Sequence, residues 1–226
     1  VTIAGMVGDA RLRPGEVSLA HNGVLFMDET PEFNRSVIEV LRQPLEDGSI
    51  HLSRALGTVV YPAAITLVLA ANPCPCGQRG GDQPCFCTDF DVHRYMRKLS
   101  GPILDRIDLG VYLRPVPTGV LLGEGAGEPS KDVRDRVIAA RLAQQQRGQT
   151  KPNGQLDPRG IARWATLGTG ARTTLQDGAN RLGLTGRSAT RCIKVARTIA
   201  DLHGCDDIES AHIAASLQFK LPRLDT

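Results

Sequence analysis

The spacing of apolar positions changes several times along this chain, and each change predicts an element. Residues 24–27, Val-Leu-Phe-Met, form a short apolar run ending in Asp28 and Glu29, which reads as a buried strand presenting paired acids at its carboxyl end. Val37, Ile38, Leu41 and Leu45 then fall at helical spacing, with Asn34 as the expected cap and Pro44 and Gly48 as the expected stop. Residues 49–53 and 57–61 alternate with period two, predicting a β-hairpin with its tip near Arg54. Residues 65–71 are nearly all apolar and end at Asn72, as expected of a central parallel strand covered on both faces. One more strand is predicted over 107–113. A Pro- and Gly-rich stretch from 114 to 129 marks a boundary, giving domains of 1–128 and 129–226. Beyond it the spacing is helical. Val133, Val137, Ile138 and Leu142 share one face, and Ala189, Ile193, Ala196 and Ala200 share another. Residues 144–158 read as an inter-helix loop, and Asp206 with Glu209 as a capping box. The fold class is therefore α/β, a parallel sheet with its ligand edge at the strands' carboxyl ends, followed by a small all-α domain.

Composition changes this picture little. With 226 residues, 41% of them hydrophobic, the chain can bury a real core, and no apolar run approaches the roughly 20 residues that span a bilayer. The first residues carry neither an initiator Met nor a charged leader, so the start reads as an interior cut, and six cysteines without a secretory signal make the cytoplasm the expected compartment. The formal charge is only +3. Of the 27 basic residues 22 are arginine, which suits phosphate contacts and equally follows from genomic bias.

Two constellations carry chemistry. The strand ending in Asp28 and Glu29 has the form of a Walker B segment, in which the first acid holds Mg²⁺ and the second activates the water that attacks a γ-phosphate. The alternative is an ordinary strand followed by an acidic helix cap. No Gly-Lys dipeptide occurs in the chain, so the phosphate-cradling loop G-x-x-x-x-G-K-[ST] is not in it. The second constellation is Cys74-Pro-Cys76 and Cys85-Phe-Cys87, which bracket eight residues holding three glycines and a proline. Four thiolates on such a loop can close tetrahedrally on Zn²⁺; disulfides or free surface thiols are the alternatives. His93 is a substitute ligand or a surface histidine. Cys192 and Cys205 read as packing residues.

These blocks come in a recognisable order. Residues 13–29, then 31–34 (Pro-Glu-Phe-Asn), then 72–77 (Asn-Pro-Cys-Pro-Cys-Gly), then 99–108, and finally 184–188 and 195–202 resemble the magnesium-chelatase-like AAA+ proteins of the ComM/YifB type. The resemblance covers nearly the whole chain and implies that it is the carboxyl-terminal portion of such a protein, with a truncated P-loop-type core and a helical lid. It implies roles for particular residues. Asn72 matches sensor 1, whose amide contacts the attacking water; otherwise it is a turn residue before Pro73. Arg106 matches the arginine finger offered to a neighbouring subunit; otherwise it pairs with Asp105 or Asp108. Arg187 matches sensor 2, with Arg191 as competitor and a solvated helix arginine as the alternative. Arg54, with His51 and Ser53 beside it, matches a pore hairpin that grips DNA; outward-facing strand residues are the alternative.

The implied whole is a hexameric, ATP- and Mg²⁺-dependent motor that remodels DNA, with Asp28, Glu29, Asn72 and Arg106 in catalysis and Asp28, Arg187 and Arg191 on the nucleotide. Zinc is expected on the four cysteines and no membrane partner is expected. The isolated chain, without a phosphate loop, is expected to be inactive. Two alternatives stand beside this reading: a magnesium-chelatase motor subunit that remodels a metal-inserting partner, and a non-enzymatic zinc-knuckle DNA-binding module.

Overall fold

The computed structural model describes residues 1–81, 83–114, 116, 118–121 and 127–220. They divide into two compact units, one over Val1–Ile107 and one beginning at Asp108.

The first unit is mixed α/β. Its elements are α1 (Ile3–Val7), α2 (Glu16–Leu19), β1 (Val24–Met27), α3 (Arg35–Glu39), α4 (Arg42–Asp47), β2 (Ser49–Arg54), β3 (Gly57–Pro62), β4 (Thr66–Leu69), α5 (Asp89–Met96) and α6 (Gly101–Leu104). β1 and β4 pair in parallel, Val24 opposite Thr66 and Met27 opposite Leu69. β2 and β3 pair antiparallel, with Arg54 opposite Gly57 and Ala55–Leu56 as the turn. The hairpin therefore lies where the alternation puts it. Ile50 and Leu52 point into a core with Met6, Val17, Met27, Val37, Ile38, Leu41 and Ile103, and His51 and Ser53 point outward.

Several expectations for residues 1–113 need correction. The run at 34–48 makes two helices rather than one, broken at Val40–Leu41, and the Asn34 side chain makes no capping bond although Asn34 occupies the N-cap position. Pro44 does not end a helix. It sits in the first turn of α4, where its missing N–H costs nothing, and Gly48, at φ 65°, supplies the left-handed stop. The parallel pair is not covered on both faces: Leu25, Leu67 and Leu69 pack on the core, whereas Val24, Phe26 and Val68 are exposed. Residues 107–113 form no strand. Their alternation meets no partner among the described residues, and Leu109, Val111, Tyr112 and Leu113 are exposed.

The second unit contains α7 (Thr118–Leu121), α8 (Ser130–Gln146), α9 (Pro158–Trp164), α10 (Thr169–Leu182), α11 (Gly186–Leu202) and α12 (Ser210–Gln218). Its apolar core gathers Ala165, Ala171, Cys192, Ala196, Ile208, Ile213 and Leu217. α10 and α12 approach closely at Gly178, where a Cβ would lie 2.3 Å from the Leu217 side chain. The stripe Val133, Val137, Ile138 and Leu142 on α8 is left half-exposed, because the face turned to α11 carries Ala140 and Gln144.

A buried polar network explains that choice. Asp201, on α11, accepts from both terminal nitrogens of Arg147 (2.5 and 2.8 Å), from Asn153 (2.7 Å), from Gln144 (3.1 Å) and from Arg197 Nε (3.0 Å). Arg197 also donates to the carbonyls of Cys205 and Asp206, holding that segment as a loop. The capping box therefore falls later than expected, at Glu209, whose N–H donates to His212 Nδ1 (3.1 Å). Among the described residues no helix is long and apolar enough to cross a membrane.

Candidate functional site

The parallel register of β1 and β4 delivers chemistry to one edge. Met27 lies opposite Leu69, so Asp28–Glu29 and the segment leading to Asn72 leave the sheet side by side. Hydrogen bonds lock the two exits together: Ala70 N–H donates to Met27 O (2.9 Å) and Thr30 N–H to Ala70 O (2.8 Å). The Thr30 hydroxyl, buried, donates to Met27 O (2.9 Å). Asp28 accepts from the Glu29 N–H (2.8 Å), and Glu29 adopts a left-handed conformation, φ 46° and ψ 42°, that is costly for a residue with a Cβ. Both acids are exposed, and neither forms an ion pair among the described residues.

Asn72 is exposed too, and its side chain lies over the turn of the cysteine loop. A Cβ on Gly77 would stand 3.9 Å from the Asn72 amide carbon. That turn is closed by Gly77 N–H donating to Cys74 O (3.0 Å), and Gly77 has φ 77°. Tyr95 of α5, buried, faces the same place. Burial and the carboxylates of Glu32 and Glu29 push its phenol up, against hydrogen bonding from the Asn72 backbone. Tyr95, Glu32 and Lys98, whose Nζ lies 3.9 Å from Glu32, belong to this edge, although the sequence assigned Tyr95 and Lys98 no role and Glu32 appeared only within the block 31–34. Their only signal was an aromatic and a lysine at the end of a short amphipathic helix.

The four cysteines converge. The Sγ atoms of Cys74, Cys76, Cys85 and Cys87 lie within 4.8 Å of one another, at 3.4 Å for Cys74–Cys76, 3.6 Å for Cys76–Cys85 and 3.7 Å for Cys74–Cys85. Zinc–sulfur bonds of about 2.3 Å in a tetrahedron require sulfurs roughly 3.8 Å apart, so the set fits a four-thiolate ion with little rearrangement. The thiols are free, and Cys74 is fully buried. The Gln78 backbone and then the Cys74 thiol bring Cys76 down to about 6. Cys87, despite a bond with the Cys76 backbone that favours its thiolate, is pushed up to about 12 by the Cys76 side chain and by burial. The first proton leaves readily and the last is held, as expected where several thiols crowd one point without a cation. His93 is not in the cluster. Cys192 is buried in the helical core, where burial pushes its thiol up.

The other candidates are placed differently. Arg106 is buried and pairs with Glu46, not with Asp105 or Asp108, while also donating to Pro102 O (2.7 Å). Arg191 pairs with Asp108 (2.6 Å), and Arg187 is exposed in the first turn of α11. Arg54, at the hairpin tip, donates to its neighbour's carbonyl, Ser53 O (2.9 Å). Ser53 Oγ lies 3.1 Å from Thr58 Oγ1, and His51 Nε2 lies 3.3 Å from Ser49 Oγ, so the outward face of the hairpin is polar and cationic at its end.

Residues 1–121 match the family model described as magnesium chelatase, subunit ChlI, and residues 127–220 match the model of its C-terminal part. The chain belongs to the magnesium-chelatase ChlI family. Within it the ComM/YifB type is the nearer kin. The chain is 42% identical to the uncharacterized protein YifB of Escherichia coli and 41% identical to the competence protein ComM of Haemophilus influenzae, each over 97% of its own length and 43% of the relative's. It spans less than half of either relative. A magnesium-chelatase subunit ChlI from Trieres chinensis is 23% identical over 59% of this chain and 36% of its own. A ChlI-family chain that carries a four-cysteine loop beside the edge of β1 and β4 thus joins two constellations the sequence presented separately.

Proposed function

We propose that this chain forms the acid-, sensor- and lid-bearing part of a ring-forming ATPase that couples ATP hydrolysis to DNA remodelling. The observation that carries the reading is the shared edge: Asp28 and Glu29 leave β1 beside the segment that leads from β4 to Asn72. Asp28 would hold Mg²⁺ through its water shell, and Glu29, without an ion-pair partner among the described residues, would accept the proton of the attacking water. Asn72 would orient that water. Arg187 and Arg191 are the lid's candidates for the nucleotide, and Arg191 would have to leave Asp108 to reach it. Arg106 would act on the neighbouring subunit's γ-phosphate and would have to leave Glu46. The helical region of residues 129–226 is read as the lid.

DNA is favoured over a metal-inserting partner by the hairpin, whose exposed tip arginine and polar face suit a phosphate backbone, and by the name of the ComM relative. The ChlI relative supports the second reading, a motor subunit of a magnesium chelatase. Measuring ATP hydrolysis by the whole protein with forked and with single-stranded DNA separates them. Strong stimulation is expected; hydrolysis indifferent to every DNA would favour the chelatase-type motor, and no hydrolysis at all would remove the enzyme.

The cysteine cluster is read as a structural zinc site held by Cys74, Cys76, Cys85 and Cys87. Zinc there would fix the loop without taking part in hydrolysis. Elemental analysis of protein purified without chelators is expected to give about one zinc per chain, and metal-free protein with four reactive thiols would contradict it.

A further inference from the structure

The cysteine loop joins two elements at the edge of the sheet. At its start, Cys74 follows Asn72 by two residues and is fully buried. At its end, Cys87 runs directly into Thr88, the N-cap of α5, whose hydroxyl accepts from Asp91 N–H (3.2 Å) while the Asp91 carboxylate accepts from Thr88 N–H (3.2 Å). Arg79, inside the loop, pairs with Asp89 in the first turn of α5 (2.8 Å). The helix therefore starts where the thiols converge, and its far end returns to the acids. Tyr95 is buried, with the Asn72 backbone acting on its phenol, and Lys98 lies 3.9 Å from Glu32, three residues beyond Glu29.

We propose that a metal ion on the four thiolates, acting through α5 and Tyr95, positions Asn72 at the acid edge. The idea rests on the ATPase reading for its consequence, though not for its geometry. Without a cation the four sulfurs lack the bonds that would hold them to one point, and the tie between the end of β4 and the start of α5 loosens. Asn72 then loses both surfaces it rests on, the Gly77 turn beneath its amide and the Tyr95 phenol beside its backbone. Among the described residues no hydrogen bond or ion pair joins the metal loop directly to Asp28, so metal loss affects orientation of water more than attachment of nucleotide. Tyr95 is a positioning residue in this scheme, not a catalytic one.

The test follows the Asn72 side-chain amide by nitrogen-resolved NMR, its signals assigned by their loss in Asn72→Asp, while Zn²⁺ is added to the metal-free 226-residue chain. Co²⁺, whose thiolate absorption bands report ligation, is titrated in parallel. Uptake is expected to saturate at one ion, with the Asn72 amide and the Tyr95 ring moving in step with occupancy. Tyr95→Phe is expected to bind the ion with the same stoichiometry while the Asn72 shift falls by half or more. Full thiolate ligation with Asn72 unmoved overturns the proposal, and so does failure to take up either ion. In the whole protein, metal removal is expected to lower kcat for ATP about 10- to 100-fold with KM little changed. Unchanged turnover overturns the positioning role. Absence of hydrolysis in the metal-loaded protein removes the ATPase reading instead, and the NMR result alone then decides the inference.

Discussion

Charge is handled in opposite ways at the edge of β1 and β4 and at the centre of the helical unit. Asp28 and Glu29 stand exposed, without a cationic partner among the described residues, and Glu29 is held in a left-handed conformation. Asp201 is buried and collects two arginines and two amides, with no lone pair left for a ligand. Both are acids on well-packed elements, and the difference lies in what satisfies them. A carboxylate whose hydrogen bonds are completed by its own chain contributes to stability, whereas one left facing solvent at a sheet edge is available for a metal ion and water. Strain and exposure at the first place suit the catalytic role proposed for it, and complete satisfaction at the second gives that acid an architectural role.

The contrast is broken most directly by exchanging the consequences of losing each acid. Asp201→Ala leaves the buried Arg197 and the partly buried Arg147 without their anion, and is expected to destabilise the helical unit by about 3–5 kcal/mol. Asp28→Ala at the exposed edge is expected to change stability by no more than about 0.5 kcal/mol. Trp164, the single tryptophan, lies on α9 in the helical unit, so its fluorescence in urea reads that unit specifically. Comparable losses from the two substitutions would erase the distinction.

Acid sharpens the same comparison. Burial disfavours the charged form of Asp201, but the bonds from Arg147 and Asn153 and the charge of Arg197 outweigh it and hold the carboxyl below its usual range. A carboxylate depressed in the folded state contributes stability that is complete above its unfolded value, near 4, and is lost as pH falls through the folded value. The Trp164-monitored unit is therefore expected to lose stability below about pH 4, and Asp201→Asn is expected to flatten that dependence. A wild-type stability that does not fall in acid would contradict the network's role.

A smaller effect is expected at the hairpin. Arg54→Ala removes one exposed cation whose only described bond is to Ser53 O, so folding and basal hydrolysis by the whole protein should change little while DNA stimulation weakens several-fold. Equal loss of basal and stimulated rates would show that Arg54 serves the core rather than DNA.

Much of this organisation was legible in the chain. Period-two alternation placed His51 and Ser53 outward and Ile50 and Leu52 inward, and the apolar runs at 24–27 and 66–69 marked the parallel pair, because both signals are local. The same rule failed at 107–113, where alternation is present but no partner strand is found among the described residues. On α8 the apolar stripe was visible, yet Gln144 won the packed face because Asp201, 57 positions away, needed its amide. Arg197 and Asp201, four apart on one helix, read alone as an ordinary surface pair. Their burial is set by Arg147 and Asn153, which sequence spacing does not connect to them. Arg106 illustrates the same limit: the nearby acids Asp105 and Asp108 suggested its partners, and the fold supplied Glu46, 60 positions away. Tyr95 was missed because its meaning comes from Asn72, on the far side of the cysteine loop.

Glu29 at the edge of β1 is the proposed base, and one substitution tests that role most directly. In the whole protein Glu29→Gln keeps the shape and hydrogen-bonding capacity of the side chain and removes its proton affinity. Mg·ATP is expected to bind with near wild-type affinity while turnover falls by roughly 10² or more. Turnover within a few-fold of wild type, with nucleotide bound normally, would contradict the assignment of this edge as the hydrolytic site.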